Sequence, residues 1–224
     1  MRIVTLNARH GLTPRGSVDT DALARYCAGL HADILALQEI DVRTRRVGGA
    51  DQVAAVARAT GLTPCFGPSE RMGRRRETGN ALFVRGLIDE AKTLVLPRSG
   101  HRDERSAILA NVIAGDRVVT VAATHLSEHP AEATLQLEAI LVALRKRHLP
   151  RVVLGDLNLR AEQVAPTIEQ RAYALAATSA PTFPAIGPTA RPDHFLSEGL
   201  DVLSVDVLDA GPVSDHRALV VEVH

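Results

Sequence analysis

Asparagine, carboxylate and imidazole groups recur in this sequence at the places where short apolar runs stop. The first run ends at Asn7, the second at Gln38-Glu39, a later one at Thr124-His125 and another at Gly155-Asp156-Leu157-Asn158. Towards the end of the chain come Asp193-His194 and then Ser214-Asp215-His216. Taken singly, each has an ordinary structural use. Asn closes turns, Asp and Asn hydrogen-bond nearby backbone, and an acid after an apolar strand marks the return to solvent. Six such termini on one rim would be a different object, because side chains held at the ends of rigid strands are well placed to bind ligands and move protons.

The elements that must carry these groups can be read from the spacing of apolar residues. Segments 2–7 and 33–38 read as strands, with helices over 19–30 (Ser17 or Asp19 available as cap) and 51–60, the latter stopped by Gly61. The middle of the chain is rich in β-branched and aliphatic residues, which predicts strands at 79–85, 88–96, 106–113 and 117–125. Leu137, Ile140, Leu141 and Leu144 then form a stripe at i, i+3, i+4 and i+7, predicting a helix over about 130–147 with Pro130 near its start. A strand at 151–155, a helical stretch near 160–177, a Pro-rich loop at 181–192 and strands near 193–197, 201–208 and 216–223 complete the order. Strands outnumber helices, and each strand-rich stretch is followed by helices. Two packed sheets with helices on the outer faces satisfy that order, and no break in composition over 1–224 marks a second domain.

Composition narrows the class. Hydrophobic residues make up 46% of the 224 and charged residues 23%, a globular balance, while aromatics at 3% leave the core to Leu, Val, Ile and Ala. Basic and acidic residues both number 26, so the net charge of zero argues against a surface that attracts nucleic acid everywhere. No apolar run reaches the roughly 20 residues of a membrane span. Arg2-Ile-Val-Thr-Leu6 enters a strand pattern directly, without the apolar region and cleavage site of a secretory leader. Cys27, in a helix, and Cys65, in a short strand, read as free buried thiols, and the expected compartment is the cytoplasm.

Together and in order, Leu6-Asn7, Leu37-Gln38-Glu39, Thr124-His125-Leu126, Gly155-Asp156-Leu157-Asn158, Asp193-His194-Phe195 and Ser214-Asp215-His216 resemble the endonuclease/exonuclease/phosphatase family. The resemblance runs from residue 3 to the last strand. It implies an α+β fold, the DNase I-like four-layer α/β/β/α sandwich, and a phosphoric ester hydrolase that uses Mg2+ or Mn2+. A phosphoester is anionic and repels a nucleophile, so the site must neutralise it and activate water, and a hard divalent cation with oxygen ligands does the first of these. By resemblance Glu39 is the principal metal carboxylate, with Asn7 and Asp215 nearby. Asp156 orients or deprotonates water, Asn158 fixes the phosphate or nucleophile, and His216 acts on a non-bridging oxygen or as general acid with Asp193 orienting its ring. His125 falls on the leaving-group side, and the division of acid and base roles between the two histidines stays open.

The substrate is less constrained. Arg105, in the run Asp103-Glu-Arg-Ser-Ala107, matches a family position near the substrate phosphate, and Asn80 and Arg43 are further candidates for that contact. Arginines cluster at Arg43, Arg45 and Arg46 and at Arg71, Arg74, Arg75 and Arg76, either as solvated loops or as a phosphate grip. Neither cluster has an aromatic residue for base stacking. Arg9 is a departure: some DNA-repair members carry an acidic ligand two residues after the first-strand Asn, and the basic residue here weakens an abasic-site endonuclease and favours a one-metal site. The expected substrate is a small or medium phosphate ester. A nuclease acting on nucleic acid is the alternative, and a non-catalytic binding module a lesser one because Glu39, Asp156, Asn158 and His216 are all present.

Overall fold

The computed structural model describes residues 1–13, 16–73, 75–99, 104–169 and 171–224, so Arg74 and Asp103 lie outside the described residues. Among the described residues, twelve strands and four α-helices follow one another as β1 (Arg2–Asn7), α1 (Thr20–Gly29), β2 (Ile34–Val42), α2 (Gln52–Thr60), β3 (Thr63–Arg71), β4 (Glu77–Val84), β5 (Gly86–Val95), β6 (Ser106–Ala114), β7 (Arg117–His125), α3 (Pro130–Leu144), β8 (Arg151–Asp156), α4 (Ala161–Glu169), β9 (Ala174–Leu175), β10 (Asp193–Glu198), β11 (Val202–Leu208) and β12 (Ala218–Val223). They form two six-stranded sheets, ordered β11-β12-β1-β2-β4-β3 and β5-β6-β7-β8-β10-β9.

Each sheet is built around one parallel pair, β1–β2 in the first and β7–β8 in the second, and the other pairings are antiparallel. Parallel neighbours need a crossover, and α1 and α3 supply it. Asp19 caps α1 by accepting from the Ala22 N–H, and Asp51 caps α2 through Ala54.

Burial follows the period-2 alternation of the strands. Val4, Leu6, Leu35 and Leu37 pack with Leu23, Cys27, Val53 and Val56 of α1 and α2. On the other side of the second sheet, Leu109, Ala122 and Val153 pack with Leu137, Ile140, Leu144 and Val164 of α3 and α4. The opposite faces meet each other: Ile3, Ile34, Ala36, Leu82 and Val84 of the first sheet against Ile108, Val121, Ala123, Val152, Leu154 and Phe195 of the second. The layers are therefore helix, sheet, sheet, helix, the architecture the resemblance implies.

Four readings of the sequence are corrected. Strand β3 is longer than the short strand expected around Cys65. The helix near 160–177 stops at Glu169, and Ala174–Leu175 pairs with β10 instead. The last strand begins at Ala218, which leaves Asp215 and His216 in the preceding loop. Strand β2 does not end at Glu39 but continues to Val42 through a bulge, with its register against β4 shifting between Leu37 and Ile40. Cys27 is buried, Cys65 half-buried, and both are free thiols.

Candidate active site

The face that each strand turns to the other sheet is apolar along most of its length and polar at one end. Ile34 and Ala36 give way to Gln38, Leu82 to Asn80, Ile108 to Ser106, Ala123 to His125, Leu154 to Asp156 and Phe195 to Asp193, alternate residues on one face in every case. In β1 the same face runs Ile3, Thr5, Asn7. A single mouth of the sandwich, at the C-terminal ends of both parallel pairs, is thereby lined with hydrogen-bonding and ionisable groups. Simple alternation would point Glu39 at the helix layer. The bulge, with Glu39 at φ +53°, re-aims it.

Asp156 stands at the centre, with only 2% of its surface exposed. Its Oδ2 accepts from Asn7 Nδ2 at 3.0 Å and faces His125 Nε2 at 3.5 Å and His216 Nε2 at 3.7 Å, while its Oδ1 accepts from the Asn158 backbone N–H at 3.1 Å. Burial and the neighbouring charge of Asp193 push the Asp156 carboxyl up to about 7.

The two imidazoles are held in opposite states. His216 Nδ1 pairs with Asp193 Oδ2 at 2.9 Å, and Thr182 donates to the same oxygen at 2.6 Å. Burial alone would lower the His216 pKa, but the Asp193 hydrogen bond and the surrounding carboxylates carry it up to about 9. Phe183 packs on its ring, centroids 4.8 Å apart. His125 is lowered to about 3, first by burial and then by the positive charge of Arg105. Asn158 Nδ2 lies 3.2 Å from His125 Nε2 and also donates to the Leu126 carbonyl, so Nε2 is the acceptor and the proton sits on Nδ1, 3.8 Å from Glu39 Oε1.

Glu39 closes the group. Its Oε1 accepts from Asn7 Nδ2 at 3.1 Å and its Oε2 lies 3.2 Å from His10 Nε2. Burial opposes ionisation of Glu39, but the hydrogen bond from His10, the nearby His125 imidazole and the hydrogen bond from Asn7 outweigh it and hold the carboxyl well below the usual carboxylate range. Asp215 is engaged by Arg9, Nη1 to Oδ2 at 2.6 Å.

The candidates for phosphate contact divide. Arg105 and Asn80 both line a recess of about 200 Å³ beside Glu39 and His125, and Asn80 also donates to the Ser106 carbonyl at 2.8 Å. Arg43 is exposed and lines neither this recess nor the larger one on the other side of Glu39. Arg46 lines the small recess but is committed to buried Asp41, Nε to Oδ2 at 2.5 Å, and Arg71 pairs with Glu77.

Several contributors have no place in the sequence reading. His10 reaches Glu39 through a turn in which Arg9 and His10 both take positive φ, and its Nδ1 lies 3.4 Å from Asp41 Oδ1. Thr182 and Phe183 reach Asp193 and His216 from the Pro-rich loop. For His10 the available signal is its place three residues after Asn7 and just before Gly11, in a turn leaving a polar strand end.

Hard oxygens dominate the mouth, a donor set that suits a divalent cation of the magnesium class. Asp156, Asp193 and His216 also bring ligand atoms within 4.8 Å of one another. Asp193 Oδ2 already accepts from Thr182 and His216, while Glu39, part-exposed and ionised, presents its carboxylate to both recesses and fits a cation that must also meet substrate.

Known proteins resemble the chain in fold and in sequence profile. An endonuclease/exonuclease/phosphatase from Beutenbergia cavernae superposes with a TM-score of 0.80 at 21% identity, covering 100% of this chain and 71% of that one. A conserved protein of unknown function from Enterococcus faecalis gives 0.80 at 18% identity, with 100% and 99% covered. The mannosyl-6-phosphatase of Bacteroides thetaiotaomicron gives 0.74 at 17% identity, again with 100% and 99% covered. No curated protein matches the sequence. The Endonuclease/Exonuclease/phosphatase family profile matches residues 4–216, nearly the whole chain, and the protein belongs to that family of phosphoester hydrolases.

Proposed function

We propose that the protein is a divalent-metal-dependent phosphoesterase that hydrolyses a small or medium phosphorylated substrate. The observation that carries this reading is a central Asp156 raised towards neutrality and surrounded by Asn7, His125, Asn158 and the Asp193–His216 pair, beside an ionised Glu39. A carboxylate that titrates near the working pH suits the acceptance of a proton from water, because it is both free to take the proton and basic enough to hold it.

In this mechanism Glu39 and Asn7 would hold Mg2+ or Mn2+, with Asp215 lining the same cavity. Bound there, the cation supplies Lewis-acid neutralisation of the phosphoryl charge. Asp156 takes the proton of the attacking water. Asn158 fixes a phosphoryl oxygen, and His216, kept charged by Asp193, donates to another. His125 serves as a neutral Nδ1–H donor on the leaving-group side. Arg105 and Asn80 contact the phosphate from the small recess. Arg43 is dropped from this set because it is exposed and borders neither recess.

A nuclease is the less favoured reading, on one observation. The small recess is bordered by Glu70 and Glu128, and by Glu104 in its pair with Arg98, and the two carboxylates without an ion pair among the described residues disfavour the next phosphates of a polymer on that side of the scissile bond. The mannosyl-6-phosphatase among the structural relatives is in keeping with a small ester.

The test is hydrolysis of p-nitrophenyl phosphate, bis-p-nitrophenyl phosphate, sugar phosphates and plasmid DNA with Mg2+, with Mn2+ and with EDTA. Glu39→Gln and Asp156→Asn are each expected to lower turnover by about two to four orders of magnitude. Asp156→Asn should also melt higher than the wild type, since it removes a buried carboxyl whose ionisation is disfavoured by burial. Full turnover in EDTA, or by either folded variant, would refute the reading.

A further inference from the structure

Glu39, His125 and Glu128 border both recesses and so divide the mouth of the sandwich into two sides. The small side carries Glu70, Glu104 and Glu128 at its edge, with Glu104 paired to Arg98 and Arg46 tied to Asp41, which leaves Arg105 as its free arginine among the described residues. The other side is a cavity of about 750 Å³ whose walls include Pro130, Leu159, Phe183 and Pro192. That size falls among small-molecule sites, which run to about 300–1,000 Å³.

Three arginines line the larger cavity, and they differ in what they are already bonded to. Arg9 is paired with Asp215. Arg160 is exposed, and its hydrogen bonds are made by its backbone, the N–H donating to Gln163 Oε1 at 2.8 Å and the carbonyl accepting from Gln163 and Val164. Its guanidinium has no hydrogen-bond or ion-pair partner among the described residues. Arg191 is half-buried and donates through Nη1 to the Thr178 carbonyl, with no carboxylate at ion-pair distance among the described residues. Both arginines thus line one partly apolar cavity and neither is in an ion pair among the described residues, whereas of the cavity's carboxylates Asp215 is taken by Arg9 and Glu39, Glu128 and Asp156 stand at the mouth. A planar guanidinium binds phosphate or carboxylate through paired N–H donors.

We propose that the larger cavity holds the organic part of the substrate and that Arg160 and Arg191 bind a second anionic group on it. The preferred substrate is then a compact phosphoester that carries a further phosphate or carboxylate, an assignment that rests on the phosphoesterase reading above. The small side admits only the reacting phosphate and what leaves with it. The apolar walls and the two arginines select the remainder.

Calorimetric titration of the protein in EDTA tests the binding without any turnover. Adenosine 3′,5′-bisphosphate is compared with adenosine 5′-monophosphate, and 3-phosphoglycerate with glycerol 3-phosphate. The second anion is expected to tighten binding about tenfold, the worth of one charge-assisted contact. In the Arg160→Gln, Arg191→Gln double variant that advantage should collapse to below about threefold, and Arg160→Lys, which keeps charge without the fork, should fall between. An advantage in both pairs assigns any anion, and one confined to the bisphosphate assigns phosphate. Equal binding within both pairs, no binding of any of the four, or an advantage that survives in a folded double variant overturns the proposal. Hydrolysis of bis-p-nitrophenyl phosphate by the wild type with Mn2+ is measured alongside. The absence of hydrolysis of this diester and of the monoester p-nitrophenyl phosphate alike would remove the phosphoesterase reading while leaving the anion comparison to be judged on its own.

Discussion

At the scale of single residues, the pairing of Arg9 with Asp215 has the most direct chemical consequence. The Asp215 carboxylate lies beside the proposed cation site but spends its charge on a guanidinium 2.6 Å away. Both side chains are partly exposed, so the pair adds little to stability. Arg9→Gln is therefore expected to leave the melting temperature almost unchanged and to tighten Mn2+ binding severalfold, measured by calorimetry, because Asp215 is released towards the ion. An unchanged Mn2+ affinity would show that Asp215 does not act on the cation. The groups that converge on the mouth were legible in the sequence where they end an apolar strand: Asn7, His125 and Asp156 continue an alternation that can be counted. His10 was not, because it reaches Glu39 through two consecutive positive-φ residues, a local geometry that leaves no periodic trace. Thr182 was hidden in the same way, since what places it beside Asp193 is a loop contact across eleven residues.

At the scale of elements, the close pairing of β7 with β8 brings His125 opposite Asp156, and Gly155 is what allows it. Its φ is +143°, and a Cβ added there would stand 1.9 Å from the Thr124 carbonyl oxygen. Gly48 also has positive φ, +62°, but nothing lies within 4 Å of where its Cβ would be. Gly48→Ala should thus cost only the conformational penalty, about 1 kcal/mol, whereas Gly155→Ala adds a backbone collision and should cost about 2–5 kcal/mol. Urea unfolding of the two variants measures the difference, and equal losses would mean that β7 and β8 can separate freely. Most elements were legible for reasons of the same local kind. The Leu137, Ile140, Leu141 and Leu144 stripe is the buried face of α3. Strand β3 was largely missed because Pro64, Gly67 and Pro68 break its pattern, and it tolerates them as an edge strand paired only with β4. The helical periodicity near 160–177 outruns the helix because it continues into Ala174 and Leu175, whose backbone groups are claimed by the edge of β10.

At the scale of the whole molecule, three apolar layers hold the sandwich together, and the two outer ones, where helices pack on sheets, also bury groups that must stay neutral. Cys27 of α1 packs between that helix and the first sheet, 1% exposed. Burial raises its thiol from the ordinary 9.0 to about 12. Tyr26 and Tyr173 are shifted upward by burial as well. In the unfolded chain the thiol loses its proton above about pH 9, while in the folded protein it keeps the proton until about pH 12. Over that window the folded state binds more protons, so stability must fall as pH rises, by about 1.4 kcal/mol per pH unit for each such group. Below the unfolded pKa the two states bind the same proton, and the thiol contributes no pH dependence. Cys27→Ala is expected to lower stability near neutrality through the lost packing, by about 1–2 kcal/mol. It should also unfold with a shallower alkaline slope, since one buried acid fewer then remains beside the two tyrosines and Cys65 to titrate. Denaturant titrations repeated from neutral to strongly alkaline pH give both quantities. Parallel slopes for wild type and variant would mean that water or hydroxide reaches Cys27 in the native state, and that the helix layer over the first sheet opens without global unfolding.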